Sequence, residues 1–229
     1  MNSMRQSGKA NGVNPFITES LWKSMLFRAL PALIGAAVIT FTQEHHARFG
    51  FAVFGAVVLW SGIIVGFEAV GIKGHPIRGF VFTRSIFSAI VGGFALFMAT
   101  GGHDWANVGA FIWTVSIWAL VTGVVELLAA FVVRRDSTLR SEILLSGAIT
   151  MLLGIIVAFV PPDLDAEYGG IEHVEGSLTA DVQAIGFVGA YFAVLGVLLI
   201  IEAITLRATL RRAQAQAATT ETTPTEENE

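Results

Sequence analysis

No cysteine occurs anywhere in the chain, so disulfides, thiolate catalysis and cysteine-held metals are excluded at once. Charge is scarce as well: Asp, Glu, Lys and Arg supply only 14% of the 229 residues, far below the share in an ordinary soluble domain. The signatures of common catalytic machinery are missing. There is no HExxH, no CxxC, no GxxxxGK[ST] and no GxGxxG after a strand, so zinc-hydrolase, dithiol and phosphate-loop chemistry lack their residues. Nor is there a basic, aromatic-interleaved surface for nucleic acid. The expectation is a protein that is not an enzyme, with no cofactor, no metal and no nucleic-acid partner.

What the chain does have is apolar length. Hydrophobic residues make up 54% of it and the mean hydropathy is +0.67. The apolar runs are about 20 residues each, enough at about 1.5 Å per residue to cross roughly 30 Å of hydrocarbon. Six such runs stand out: Leu21–Phe41, Phe49–Ile72, Phe80–Thr100, Ala106–Val133, Ser141–Val160 and Val182–Leu206. Residues 1–20 are polar and rich in Gly and Asn, and residues 213–229 form an acidic low-complexity tail; both are expected to be disordered.

The stretch WALVTGVVELLAAFVVRR, Trp118 to Arg135, has counterparts earlier and later. With Gly62, Gly123 and Gly196 in register, Gly55, Ser116 and Gly189 lie seven residues before them. Ala69, Ala130 and Ala203 lie seven after, and Lys73, Arg134 and Arg207 close each run. A spacing of seven keeps small residues on one helix face, where neighbouring backbones can approach closely. Arg28, Arg84 and Arg140 recur near the starts of the odd runs, 56 residues apart. The expected fold is therefore all-α and polytopic: six transmembrane helices as three tandem parallel helical-hairpin repeats, over 21–73, 80–135 and 140–212, the last with an acidic insertion at 161–181.

Basic residues lie almost entirely on one side: Arg5, Lys9, Lys23 and Arg28; Lys73, Arg78 and Arg84; Arg134, Arg135 and Arg140; Arg207, Arg211 and Arg212. Only Arg48 falls opposite. Both termini are expected to be cytoplasmic. The expected partners are the lipid bilayer and other membrane proteins or further copies of the chain.

WALVTGVVELLAAFVVRR, LLSGAITMLLGIIVAF and GAYFAVLGVLLIIEAITLR, within residues 113–212, resemble the helices of the HdeD-like six-helix membrane proteins associated with bacterial acid resistance. Earlier residues are similar mainly in layout. The short proline-bearing turn of that family has a counterpart only at Pro161 and Pro162, and QEHHARFG stands in the first turn. The resemblance implies a bacterial inner-membrane protein tied to acid or envelope stress, and brings no catalytic residues with it.

Three groups of residues carry chemistry. The first is intramembrane carboxylates. Glu126 lies on the small-residue stripe, eight residues before Arg134 or roughly 12 Å deep, while Glu68 and Glu202 occupy matching positions six residues after Gly62 and Gly196. A charge there costs about 2.5–3.5 kcal/mol, so Glu126 is read either as a proton-binding carboxylate or as the ion-pair partner of an odd-helix arginine. The second group, Arg28, Arg84 and Arg140, is read either as a positive ring at the cytoplasmic mouth of an ion path, or as topology anchors and partners for Glu68, Glu126 and Glu202. The third lies opposite: His45, His46, His103 and His173, with Glu44, Asp104, Glu172 and Glu175 beside them, and Asp163, Asp165, Glu167 and Asp181 in the insertion. Histidine changes charge between about pH 5 and 8, which suits a pH-responsive or divalent-cation surface; a solvated acidic loop explains the same residues. The leading expectation is a non-enzymatic scaffold or pH-responsive sensor. The alternative is a small proton or ion transporter using Glu126 and the arginines.

Overall fold

Helix α1 (Pro15–Phe41) starts at a proline, whose missing N–H costs nothing in a first turn that has no partner for it. The structure, a computed structural model, describes residues 15–43, 45–72, 74, 76–102, 104–133, 138–167 and 177–221. After α1 come α2 (Ala47–Gly71), α3 (Ile77–Thr100), α4 (Val108–Val132) and α5 (Thr138–Ala158). The short strands β1 (Asp165–Glu167) and β2 (Ser177–Thr179) follow, then α6 (Ala180–Glu221). Every helix contains a segment long and apolar enough to cross a bilayer, which makes this a multi-pass membrane protein.

Parts of the two stretches expected to be disordered are helical. Residues 15–20 belong to α1, and residues 213–221 extend α6 past its apolar span, Ala180–Arg212. The segment ATLRRAQAQAA is dense in Ala, Arg and Gln, strong helix formers that carry the helix on without membrane support. Within the insertion, β1 and β2 pair antiparallel with Ala166 opposite Leu178.

Helix ends follow side-chain chemistry. His46 caps α2, its Nδ1 accepting the Phe49 amide at 3.0 Å, and Asn107 caps α4 by accepting from Ala110 at 3.0 Å. Gly74 takes φ +71° in the turn before α3, a conformation in which a side chain is strained. Inside α1, Pro31 cannot donate to the Phe27 carbonyl. The Trp60 indole on α2 donates to that carbonyl instead, at 2.9 Å.

The most intimate helix pairs are α2 with α3, α4 with α5 and α6 with α1; α1–α2, α3–α4 and α5–α6 touch less. Close packing is thus displaced one helix along from the expected hairpins. The cause is the small-residue stripe, which finds its matching backbone on the following odd helix and, for α6, on α1. A Cβ on Gly62 would come within 2.8 Å of the Ala89 amide nitrogen, and one on Gly123 within 2.8 Å of the Met151 amide nitrogen.

These approaches also set the odd-helix register. Gly62 faces Ser85 and Ala89, and Gly196 faces Ala29 and Leu33, the residues one and five beyond Arg84 and Arg28. Gly123 faces Gly147 and Met151, one and five beyond Ser146. The 56-residue arginine spacing therefore holds for Arg28 and Arg84, while Ser146 and not Arg140 takes the third place.

Large apolar side chains such as Phe27, Leu30, Phe67, Ile90, Trp113, Phe131 and Ile204 point outward, as a lipid-facing belt requires. Inside, toward the end where α2 and α4 begin, Phe51, Phe54, Phe111, Trp118 and Phe192 fill the centre. Edge contacts at 5.2 Å (Phe51–Phe111) and 5.3 Å (Phe54–Trp118) lock these rings together.

Candidate functional site

Below that aromatic centre, toward the end where α1 begins, the interior turns polar. Arg28 from α1, Glu68 from α2, Arg84 from α3, Glu126 from α4 and Glu202 from α6 converge there, and Arg28, Glu126 and Glu202 are all buried. Arg28 and Arg84 stand about two helical turns inside the ends of their spans, roughly 10 Å deep. They reach the interior because each directly precedes the residue on which a neighbouring glycine packs, Ala29 under Gly196 and Ser85 under Gly62.

One ion pair is explicit. Arg84 Nη1 lies 2.6 Å from Glu126 Oε1, and the Ser146 hydroxyl donates to Glu126 Oε2 at 3.1 Å. Glu126 is thereby bound from α3 and α5 at once, as a carboxylate away from water requires. Glu68 accepts a hydrogen bond from the Ser24 hydroxyl. Arg28 lies within the electrostatic reach of Glu68, Glu126, Glu202 and Arg84, yet its Nε is buried without a hydrogen-bond partner. Glu202 feels Glu142, Arg28, Glu126 and Arg84, and its Oε1 is likewise buried and unpartnered.

Hydroxyl groups continue the polar line toward the aromatic centre. Thr150, one turn beyond Ser146, shares a 3.0 Å hydrogen bond with the Tyr191 hydroxyl, and the Trp118 indole donates to Ser88 at 3.1 Å. Thr150 also donates to the Ser146 carbonyl at 2.9 Å.

The remaining sequence candidates lie elsewhere. Arg140, read with Arg28 and Arg84 either as a ring member or as a topology anchor, sits near the start of α5 with its guanidinium 6.0 Å from the Phe131 ring centre. His45 and His46 are at the opposite end, engaged with backbone: His45 Nε2 is 3.0 Å from the Ile39 carbonyl, and His46 caps α2. Asp181, at the start of α6, lies close to His46 and the Ala47 amide. His103, His173, Glu172 and Glu175, with Glu44, lie outside the described residues. Among the described residues no three His, Asp or Glu side chains gather where they could hold a metal.

Ser24, Ser146, Thr150 and Tyr191 were not singled out from the sequence. A signal was there: Ser24 lies four residues before Arg28, and Ser146 four before Thr150, each on one helix face.

The chain matches no family model, and neither a curated protein nor a solved structure matches it. The resemblance of residues 113–212 to HdeD-like proteins therefore rests on those residues themselves.

Proposed function

We propose that this is a non-enzymatic, acid-responsive protein of the bacterial inner membrane, with both termini cytoplasmic, acting as a sensor or scaffold. The observation that carries the reading is the buried acid–base cluster centred on the Arg84–Glu126 pair at 2.6 Å. Charged groups held from five helices at once make helix packing depend on their protonation, because losing one charge leaves its partner buried and uncompensated. The HdeD-like residues support the link to acid stress, and the one-sided basic residues support the orientation.

We place the proton-sensitive element in the cluster rather than at His45 and His46, because both are committed to backbone contacts. The filled aromatic centre favours a sensor or scaffold over a conducting path. Growth across external pH of cells lacking the protein, complemented with variants, tests this. Glu126→Gln should abolish acid tolerance and the His45→Gln/His46→Gln pair should retain it; the reverse pattern overturns the assignment. Proton flux in proteoliposomes that Glu126→Gln abolishes would establish a transporter instead.

A further inference from the structure

The cluster does not balance. Three carboxylates, Glu68, Glu126 and Glu202, gather with two guanidiniums, Arg28 and Arg84, and Glu142 at the start of α5 adds a further acid within electrostatic reach of Glu202. One carboxylate is in excess inside the span, where an uncompensated charge is expensive. The Arg84–Glu126 pair consumes one charge of each kind, and Glu68 is held by Ser24 at the half-buried edge. That leaves Arg28 to serve both Glu68 and Glu202.

Of the three, Glu202 is the acid without a partner. It is 7% exposed, its Oε1 has no hydrogen-bond partner, and among the described residues it forms no ion pair. Arg28, also 7% exposed, has an unpartnered Nε in the same interior. Four helices contribute to the field at Glu202: Arg28 from α1, Arg84 from α3, Glu126 from α4 and Glu142 from α5, while Glu68 of α2 acts on Arg28; on α6 itself Arg207, about one turn on, is turned outward over Trp22 at 4.8 Å.

We propose that Glu202 is the site at which this cluster binds one exchangeable proton, while Glu126 remains the ionised partner of Arg84. The proton resides on the Glu202 carboxyl, brings the interior to charge balance, and links α6 to α1 through Arg28. When it leaves, Glu202 competes with Glu68 for Arg28, and the α1–α6 contact is the one that loosens. This rests on the acid-responsive reading and adds to it the residue and the stoichiometry.

Infrared difference spectroscopy of the full chain in lipid nanodiscs, titrated from alkaline to acid pH, reads the protonated carboxyl directly through its carbonyl stretch. The expected result is a carboxylic-acid band that Glu202→Gln removes and Glu126→Gln leaves in place. Should Glu202→Gln fail to fold, Glu202→Asp keeps the test alive, since it should shift the band without abolishing it. A band removed by Glu126→Gln or Glu68→Gln instead overturns the assignment to Glu202 while the acid-responsive reading stands. If wild type gives no band at any pH, both fall. A carboxylate band that answers to added sodium ions and not to pH identifies a metal-cation site and overturns the proton proposal.

Discussion

The Arg84 guanidinium and the Glu126 carboxylate, 2.6 Å apart, join α3 to α4 inside the span, and Ser146 of α5 closes on the same carboxylate. Neither charge can be tolerated alone there, yet together they stand in for the hydration that lipid denies them. The cluster thus adds charged ties to helices that otherwise meet through small residues, van der Waals contact and single hydrogen bonds such as Trp118 to Ser88.

Trp60 and Pro31 are predicted to be energetically coupled through the Phe27 carbonyl. Trp60→Phe orphans that acceptor and should lower stability by about 1 kcal/mol. Pro31→Ala restores an N–H to the helix, so in that background Trp60→Phe should cost much less. Unfolding of the four proteins in detergent, compared as a double-mutant cycle, gives the coupling.

Glycines on the stripe should differ sharply from glycines off it. A Cβ at Gly62 meets the backbone of α3, so Gly62→Ala should destabilise the α2–α3 pair by about 1–3 kcal/mol through overpacking. A Cβ at Gly93 meets nothing within 4 Å, and Gly93→Ala should be neutral or mildly stabilising. Thermal midpoints in one detergent decide the comparison.

At the other end, His46→Ala removes the α2 cap and should cost about 1 kcal/mol, whereas His46→Asn supplies another acceptor and should stay near wild type. Equal losses for Ala and Asn would show that the imidazole does more than cap.

The lack of cysteine makes orientation measurable without background labelling. Gln43, Asp104 and Asp163 are exposed at the far end, and Gln214 is exposed on the α6 extension. A membrane-impermeant thiol reagent on intact cells should label Gln43→Cys, Asp104→Cys and Asp163→Cys but not Gln214→Cys. The opposite pattern would invert the topology.

The spans were legible because 20-residue apolar runs have few alternatives, and Glu126 was legible as an interior residue because Gly123 and Ala130 place it on a packed face. Its candidate partner class, an odd-helix arginine, followed from the cost of burying charge. Which arginine did not follow, since periodicity assigns a face and not a neighbour. The misplaced Arg140 shows the reason: an equal sequence spacing suggested equivalence, but backbone approach at Gly123 selected Gly147 and with it Ser146. Helical extension at Pro15 and beyond Arg212 was hidden because polarity reports on lipid contact, not on backbone conformation. The Trp60–Phe27 bond joins residues 33 apart and has no local signature beyond Pro31 itself.

The most direct measurement of the buried cluster is a double-mutant cycle on its explicit pair. Arg84→Met and Glu126→Met should each cost about 3–5 kcal/mol of stability in bicelles, because each leaves one buried charge uncompensated. Combined, they should cost clearly less than the two added together, with a coupling of about 2 kcal/mol or more. Additive losses, or single variants as stable as wild type, would contradict an acid–base unit inside the span.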